Sequence, residues 1–140
     1  MRLVLDTNIL ISSLIRKDTP PYLLYRAWRN RLFDLLTSDW QLAEVEDVLS
    51  RPRLQKYIYE AEAQEIMRGL RVEAVQIDTS AVSVSYSPDP DDNRILAIAI
   101  AGMGDYVVSG DKAHMLSLGD ADGIPIITAR QAIDILENPR

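Results

Sequence analysis

The stretch Leu3-Val4-Leu5-Asp6-Thr7-Asn8 joins a short apolar run to an acid and then to polar residues that can open a helix. The apolar run predicts a buried β-strand, and the residues from Asn8 to Ile15 predict a helix. A second strand is predicted over Tyr106-Val107-Val108-Ser109, which runs into Gly110-Asp111. In both places, therefore, an acid follows closely after a predicted strand.

Strands and helices alternate along the rest of the chain. Further strands are predicted over residues 33–37, 75–77 and 125–127, with an extended segment over 82–85. Further helices are predicted over residues 21–31, 38–51, 60–75, 92–101, 113–118 and 128–136. Ser38-Asp39-Trp40-Gln41 and Thr128-Ala129-Arg130-Gln131 both have the form of a capping box, in which cap and glutamine side chains bond each other's backbone N–H groups.

This alternation predicts an α/β fold with a central, mainly parallel sheet and helices on both faces, which is a three-layer α/β/α sandwich. The chain has 140 residues, a length that suits one domain, and no repeat or linker divides it. We therefore expect a single domain over residues 1–140.

The charge balance argues against binding of nucleic acid by charge alone. The chain has 15 Lys and Arg against 21 Asp and Glu, a formal net charge of −6, whereas proteins that bind nucleic acid by charge are basic. Either nucleic acid is not the ligand, or bound cations and local basic patches reverse the local field. The chain has no cysteine, which excludes disulfides, zinc–thiolate sites and thiol nucleophiles.

The apolar runs are too short for a targeting segment or a membrane span. Asp6 ends the first run, whereas the core of a signal peptide needs about 7–15 apolar residues. The longest run, Ile95 to Met103, is shorter than the roughly 20 residues that cross a bilayer. We expect a cytoplasmic protein that does not enter the membrane.

The acids near the predicted strand ends form the first candidate site. In open parallel sheets, ligands collect beyond the carboxyl ends of the strands, so Asp6 and Asp111 can meet in one crevice. Asp92 joins them if the helix that it begins starts at the same edge. Clustered carboxylates repel each other unless a cation compensates, and a hard dication with oxygen ligands suits them. The alternative is structural, because Asp is also favoured as a helix cap and in the first helical turn.

Four segments, in this order and spacing, resemble the pattern of the PIN-domain family, over nearly the full length of the chain. They are Leu5-Asp6-Thr7-Asn8, Glu44 to Pro52, Asp89-Pro90-Asp91-Asp92-Asn93 and Val108-Ser109-Gly110-Asp111-Lys112. The resemblance is closest to bacterial toxin components of toxin–antitoxin pairs, the virulence-associated protein C-like ribonucleases. It implies a Mg²⁺- or Mn²⁺-dependent endoribonuclease that hydrolyses RNA phosphodiester bonds. For such an enzyme we predict that a metal-activated water attacks phosphorus and leaves a 5′-phosphate and a 3′-hydroxyl.

The resemblance also implies which residues act. The catalytic and metal-binding acids map to Asp6, Glu44, Asp92 and Asp111. Asn8 matches a polar residue beside the first acid, and Ser109 matches a hydroxyl residue that supports the last. Helical geometry leaves Glu44 and Glu46 equal candidates, since they flank the apolar stripe on opposite sides, and the family spacing selects Glu44.

Two further expectations follow from the resemblance, and two alternatives stay open. The resemblance implies a homodimer and, in paired systems, a small antitoxin protein that blocks the site. His114, the single histidine, stands where similar sequences usually carry another acid, and we expect a surface or capping role for it. One alternative is a catalytically inactive PIN fold that binds nucleic acid or regulates. The other is a structure-specific DNA nuclease, although such relatives usually carry further acids and helical insertions.

Overall fold

Strands and helices alternate as predicted, and the computed structural model describes residues 1–138, so the last two residues of the predicted domain lie outside the described part. The strands are β1 (Arg2–Leu5), β2 (Asp34–Thr37), β3 (Val75–Gln76), β4 (Tyr106–Val108), β5 (Asp120–Ala121) and β6 (Ile124–Ile127). The helices are α1 (Thr7–Ile15), α2 (Pro20–Arg29), α3 (Asp39–Leu49), α4 (Pro52–Gln55), α5 (Glu60–Val72), α6 (Pro90–Ala101) and α7 (Ala129–Glu137). A 3₁₀ turn covers Leu116–Leu118.

The strands form one sheet in the order β3-β2-β1-β4-β6-β5. The pairs β1–β2, β1–β4, β2–β3 and β4–β6 are parallel, and β5 pairs antiparallel with β6. The predicted mainly parallel sheet is therefore confirmed. Because β1 and β4 are neighbours at the centre, their carboxyl ends lie side by side.

Alternate residues of the strands pack into two separate cores, one on each face of the sheet. Leu3 and Leu5 belong to the core that contains residues of α1, α2, α3, α5 and α7, whereas Val4 belongs to the core of α6 and Met115. Strands that are buried on both faces read as continuous apolar runs, as Leu3-Val4-Leu5 does. The arrangement has three layers, as the sequence predicted. Among the described residues, no helix has the length and apolar character needed to cross a membrane.

The two predicted capping boxes have different outcomes. Thr128 and Gln131 form the complete reciprocal box at the start of α7. Ser38 accepts the N–H of Gln41 at 3.2 Å, but the return bond is absent because the Gln41 side chain is used elsewhere. Its Nε2 donates to the Leu5 carbonyl at 2.8 Å, and its Oε1 accepts from the Thr37 hydroxyl at 2.7 Å. Gln41 therefore ties α3 to the ends of β1 and β2.

Several predicted boundaries were wrong. Pro52 begins the short helix α4 instead of only ending α3, as its fixed φ at a first-turn position allows. Residues 82–85 were predicted only as an extended segment, and they lie outside the helices and strands. The predicted helix over 113–118 contracts to the 3₁₀ turn. The strand β5 was missed; it reaches β6 through Asp122 and Gly123, which both have positive φ as tight hairpin turns require.

Candidate metal centre

Asp6 and Asp111 are linked by one buried hydroxyl at the carboxyl edge of the sheet. Asp6 directly follows β1, occupies the N-cap position of α1 without a side-chain capping hydrogen bond, and is 8% exposed. The Ser109 hydroxyl donates to Asp6 Oδ2 at 2.9 Å and accepts the backbone N–H of Asp111 at 3.1 Å. Burial raises the pKa of the Asp6 carboxyl to about 6, against the Ser109 hydrogen bond that lowers it, and the charges of Asp92 and Asp111 raise it further. The two acids thus share one electrostatic environment.

Asp92 comes to the same edge from the first turn of α6. The helix begins two residues earlier than predicted, with Asp89 as its cap, and the Asp89 side chain accepts the N–H of Asp91 at 2.9 Å. This leaves Asp92 free of the capping role, and it is 8% exposed. The Ser87 hydroxyl donates to Asp92 Oδ2 at 2.8 Å. Burial raises the pKa of Asp92, and the neighbouring charges of Asp89 and Asp111 act in the same direction.

The tertiary structure separates Glu44 from Glu46, which helical geometry could not do. The Thr7 hydroxyl, at the start of α1, donates to the carboxylate of Glu44. Burial raises the pKa of Glu44, and the charge of Asp6 contributes to the rise. Glu46 instead pairs with Arg71 on the exposed side of α3. Glu44 is therefore the acid of α3 that faces the other candidates.

His114 lies beside two of the predicted site acids. Asp111 Oδ1 accepts the backbone N–H groups of Ala113 at 3.0 Å and His114 at 3.2 Å, which folds the loop after β4 into a tight turn. The Nδ1 atom of His114 is 3.7 Å from Asp111 Oδ2. Asp92, Asp111 and His114 can each offer one ligand atom, and these atoms lie within 4.8 Å of one another. The acid that similar sequences carry at this position was the only signal for His114.

The hydroxyl side chains that contact the acids include Ser109, which was predicted, and Thr7 and Ser87, which were not. Ser109 contacts both Asp6 and Asp111. Asn8 is exposed, and within the described residues its side chain makes no hydrogen bond, whereas its neighbour Thr7 is buried and contacts Glu44. Thr7 and Ser87 were missed, because nothing in their local sequence distinguishes them from ordinary turn and cap residues.

The donor set fits a hard divalent cation. In the described part of the chain, none of the ion pairs joins Asp6, Glu44, Asp92 or Asp111 to a lysine or arginine. Buried carboxylates without a cationic partner are unfavourable when ionised, and Mg²⁺ or Mn²⁺ with oxygen ligands compensates them.

The family model of the PIN domain matches residues 2–113. The chain belongs to the PIN domain family. The matched range contains all four acids predicted from the sequence and ends one residue before His114. PIN domains are generally nucleases that use a divalent metal. No curated protein matches the chain significantly.

The cavities of this PIN domain include two of differing size that are not lined by the four acids. One of about 400 Å³ borders the start of α6, and its lining includes Trp40, Pro90 and Arg94. The Arg94 guanidinium lies 5.5 Å from the centre of the Trp40 ring, whereas Trp28 is buried in the core. A larger cavity of about 810 Å³ lies against α3 and α5 and contains none of the four acids. Its size alone therefore does not identify the chemical site.

Proposed function

We propose that this PIN domain is a Mg²⁺- or Mn²⁺-dependent endoribonuclease and the toxin of a toxin–antitoxin pair. The proposal rests on one observation about three carboxyl groups. Burial raises the pKa values of Asp6, Glu44 and Asp92, and no lysine or arginine of the described chain forms an ion pair with them. Such a cluster is costly for folding, and its retention is explained if a divalent metal and a phosphate occupy the site.

The proposed roles follow the family pattern, because the ligand atoms that the structure places within 4.8 Å of one another belong to Asp92, Asp111 and His114 and not to Asp6 or Glu44. Asp6, Asp92 and Asp111 would hold the ion, and Glu44 would bind it directly or through water. A bound Mg²⁺ or Mn²⁺ would supply an activated water and stabilise the negative charge of an in-line phosphoryl displacement. Ser109 fixes the Asp6 carboxylate, and Thr7 fixes that of Glu44, so both acids keep one orientation.

The proposed substrate is RNA, cut to leave a 5′-phosphate and a 3′-hydroxyl. A chain with a formal charge of −6 repels phosphates, so the ion supplies the positive field at the site. The toxin role, the homodimer and the small antitoxin that blocks the site are supported by the sequence resemblance to toxin components.

An RNA cleavage assay tests the proposal by asking whether cleavage needs a divalent metal and whether it is lost when one acid is removed. A mixed RNA pool is incubated in Mg²⁺, Mn²⁺ or EDTA with the wild type, with Asp6→Asn or with the control Asp34→Asn. Asp34 is the exposed first residue of β2, so it lies at the opposite edge of the sheet from the acids. We expect cutting by the wild type and the control only with metal, and none by Asp6→Asn. A matched pair on α3, Glu44→Gln and Glu46→Gln, should separate in the same way, with cleavage lost only in the first.

Different failures have different meanings. Products that end in 2′,3′-cyclic phosphate would contradict the hydrolytic mechanism. Cleavage of single-stranded DNA but not of RNA would contradict the proposed substrate and identify DNA in its place. Absence of both cleavage and metal binding would favour the inactive regulatory module.

A further inference from the structure

We propose that His114 is a nitrogen ligand of the metal centre, together with Asp92 and Asp111, and that it biases the centre towards Mn²⁺ over Mg²⁺. The inference rests on the proposed function for the presence of a metal, and it adds a ligand that the four-acid pattern does not contain. It also predicts the metal preference, which the acids alone leave open.

The backbone of the loop after β4 fixes His114 next to Asp111. Asp111 Oδ1 accepts the N–H of His114 at 3.2 Å, while Oδ2 of the same carboxylate faces the imidazole Nδ1 at 3.7 Å. One carboxylate oxygen thus holds the turn, and the other remains available on the side of the ring. His114 therefore reaches the acids because of the fold of its own loop.

The distances suit one shared ion. Ligand atoms that lie about 2.1 Å from one octahedral ion are about 3 Å apart when adjacent and about 4.2 Å apart when opposite. The ligand atoms of Asp92, Asp111 and His114 lie within 4.8 Å of one another, so side-chain rotations that move them by about an ångström bring them into this range. The carboxylate of Asp92 is held by Ser87 and the loop of Asp111 by its own turn, so the imidazole is the side chain with freedom to adjust.

The surroundings of His114 favour a ligand role over a structural one. The ring is half exposed, one of its nitrogens lies within 4.8 Å of carboxylate oxygens of Asp92 and Asp111, and its side chain makes no hydrogen bond to other described residues. A histidine that stabilises a core is buried and bonded on both nitrogens, and this one is neither. An imidazole beside two carboxylates at a sheet edge has the composition of a mixed nitrogen and oxygen metal site.

Nitrogen ligation has a direct consequence for metal choice. Mg²⁺ strongly prefers oxygen ligands and octahedral water, whereas Mn²⁺ and the later divalent metals accept imidazole. A carboxylate at this position would give an all-oxygen site that suits Mg²⁺. The wild-type chain should therefore bind Mn²⁺ more tightly than Mg²⁺ by a larger factor than a His114→Asp variant does.

Binding of the metal alone tests the inference without any substrate. Four metal-free proteins are titrated calorimetrically with MnCl₂ and with MgCl₂. They are the wild type, His114→Gln, His114→Asp and, as a control in the same loop, Lys112→Gln. We expect His114→Gln to lose about tenfold or more in Mn²⁺ affinity, and His114→Asp to reduce the ratio of Mn²⁺ to Mg²⁺ affinity. Lys112→Gln should keep the wild-type ratio.

Pulsed electron paramagnetic resonance of the Mn²⁺ complex supplies a readout specific to ligation. Because the chain has 1 histidine, imidazole nitrogen modulation in the wild type that is absent in His114→Gln identifies the ligand without ambiguity. Tight Mn²⁺ binding without imidazole modulation, and with unchanged affinity in His114→Gln, would overturn this inference and leave the proposed function intact. A wild type that binds neither metal would overturn both. Unfolding curves of the variants should match the wild type, since the side chain is half exposed.

Discussion

Ser109 is the residue on which the arrangement of the acid cluster depends most directly. Its side chain is 0% exposed, and its single hydroxyl donates to Asp6 while it accepts from the backbone of Asp111. The Ser109 side chain thus links, by hydrogen bonds, the two segments that follow the adjacent strands β1 and β4. A buried hydroxyl with both functions satisfied cannot be removed without leaving at least one polar group unpaired.

We predict that Ser109→Ala raises the pKa of Asp6 above about 6 and weakens metal binding about 10–100-fold, because the Asp6 carboxylate loses its donor. The unpaired N–H of Asp111 should also cost about 1–3 kcal/mol in the free energy of unfolding. Calorimetric titration with MnCl₂ and urea unfolding measure the two effects. Ser117→Ala, which removes an exposed hydroxyl in the following loop, is the control. Equal Mn²⁺ affinity in both variants would show that the Ser109 contact has no role in the site.

The individual site residues were predictable from sequence to different degrees. Asp6 and Asp111 follow strands, so the parallel sheet itself predicts that they meet. Glu44 could be chosen over Glu46 only by family spacing, because its contact with Thr7 joins residues 37 positions apart. The role of Thr7 depends on this tertiary contact, whereas His114 lies beside Asp111 through its own loop and only its proximity to Asp92 is tertiary.

At the scale of elements, Gln41 connects α3 to the two strands that it must be aligned with. Its amide satisfies the Leu5 carbonyl and the Thr37 hydroxyl, and it is 1% exposed. The third residue of a helix with a serine cap usually returns its side chain to the cap. In α3 the Gln41 side chain bonds to the strand ends instead. These bonds fix the position of α3, and therefore of Glu44, relative to Asp6.

We predict that Gln41→Met lowers the free energy of unfolding by about 2–3 kcal/mol, since a side chain of similar size leaves two buried polar groups unpaired. Gln131→Met is the matched control, because Gln131 stands at the same helical position of α7, in an exposed capping box, and should cost less than about 1 kcal/mol. Urea unfolding of both variants gives the comparison. Equal losses would mean that Gln41 acts only as a cap.

The elements that the sequence missed are the shortest ones. Pro52 was interpreted only as the end of α3, although proline is equally favoured in the first turn of a new helix. The two-residue strand β5 carries no periodicity of its own, and its one signal was the Asp122-Gly123 turn. The short apolar runs before Asp6 and Gly110, in contrast, predicted the central strands, because strands that are buried on both faces read as continuous apolar residues.

At the scale of the whole molecule, the sheet order brings the acids together at a cost to folding. Placing β1 beside β4 puts Asp6 next to Ser109 and Asp111, and the packing of α6 on the other face adds Asp92. In a chain with a net charge of −6, these buried carboxylates oppose the compact state. A metal that binds only the folded chain offsets this cost, so metal occupancy and stability should be coupled.

Without metal, the free energy of unfolding should therefore fall as the pH rises through the titration range of Asp6. Its pKa is about 6 in the folded chain against an ordinary 3.8, so the folded state holds the proton more tightly and loses stability as the pH rises from about 4 to about 6. In EDTA, Asp6→Asn should equal the wild type near pH 4 and exceed it by up to about 3 kcal/mol at pH 7.5. Saturating MnCl₂ should reverse this order at pH 7.5, because only the wild type keeps the full ligand set. Urea unfolding across this pH range tests it, with Asp34→Asn expected to follow the wild type throughout. A difference between Asp6→Asn and the wild type that stays constant from pH 4 to pH 7.5 would assign the effect to packing and refute the electrostatic account.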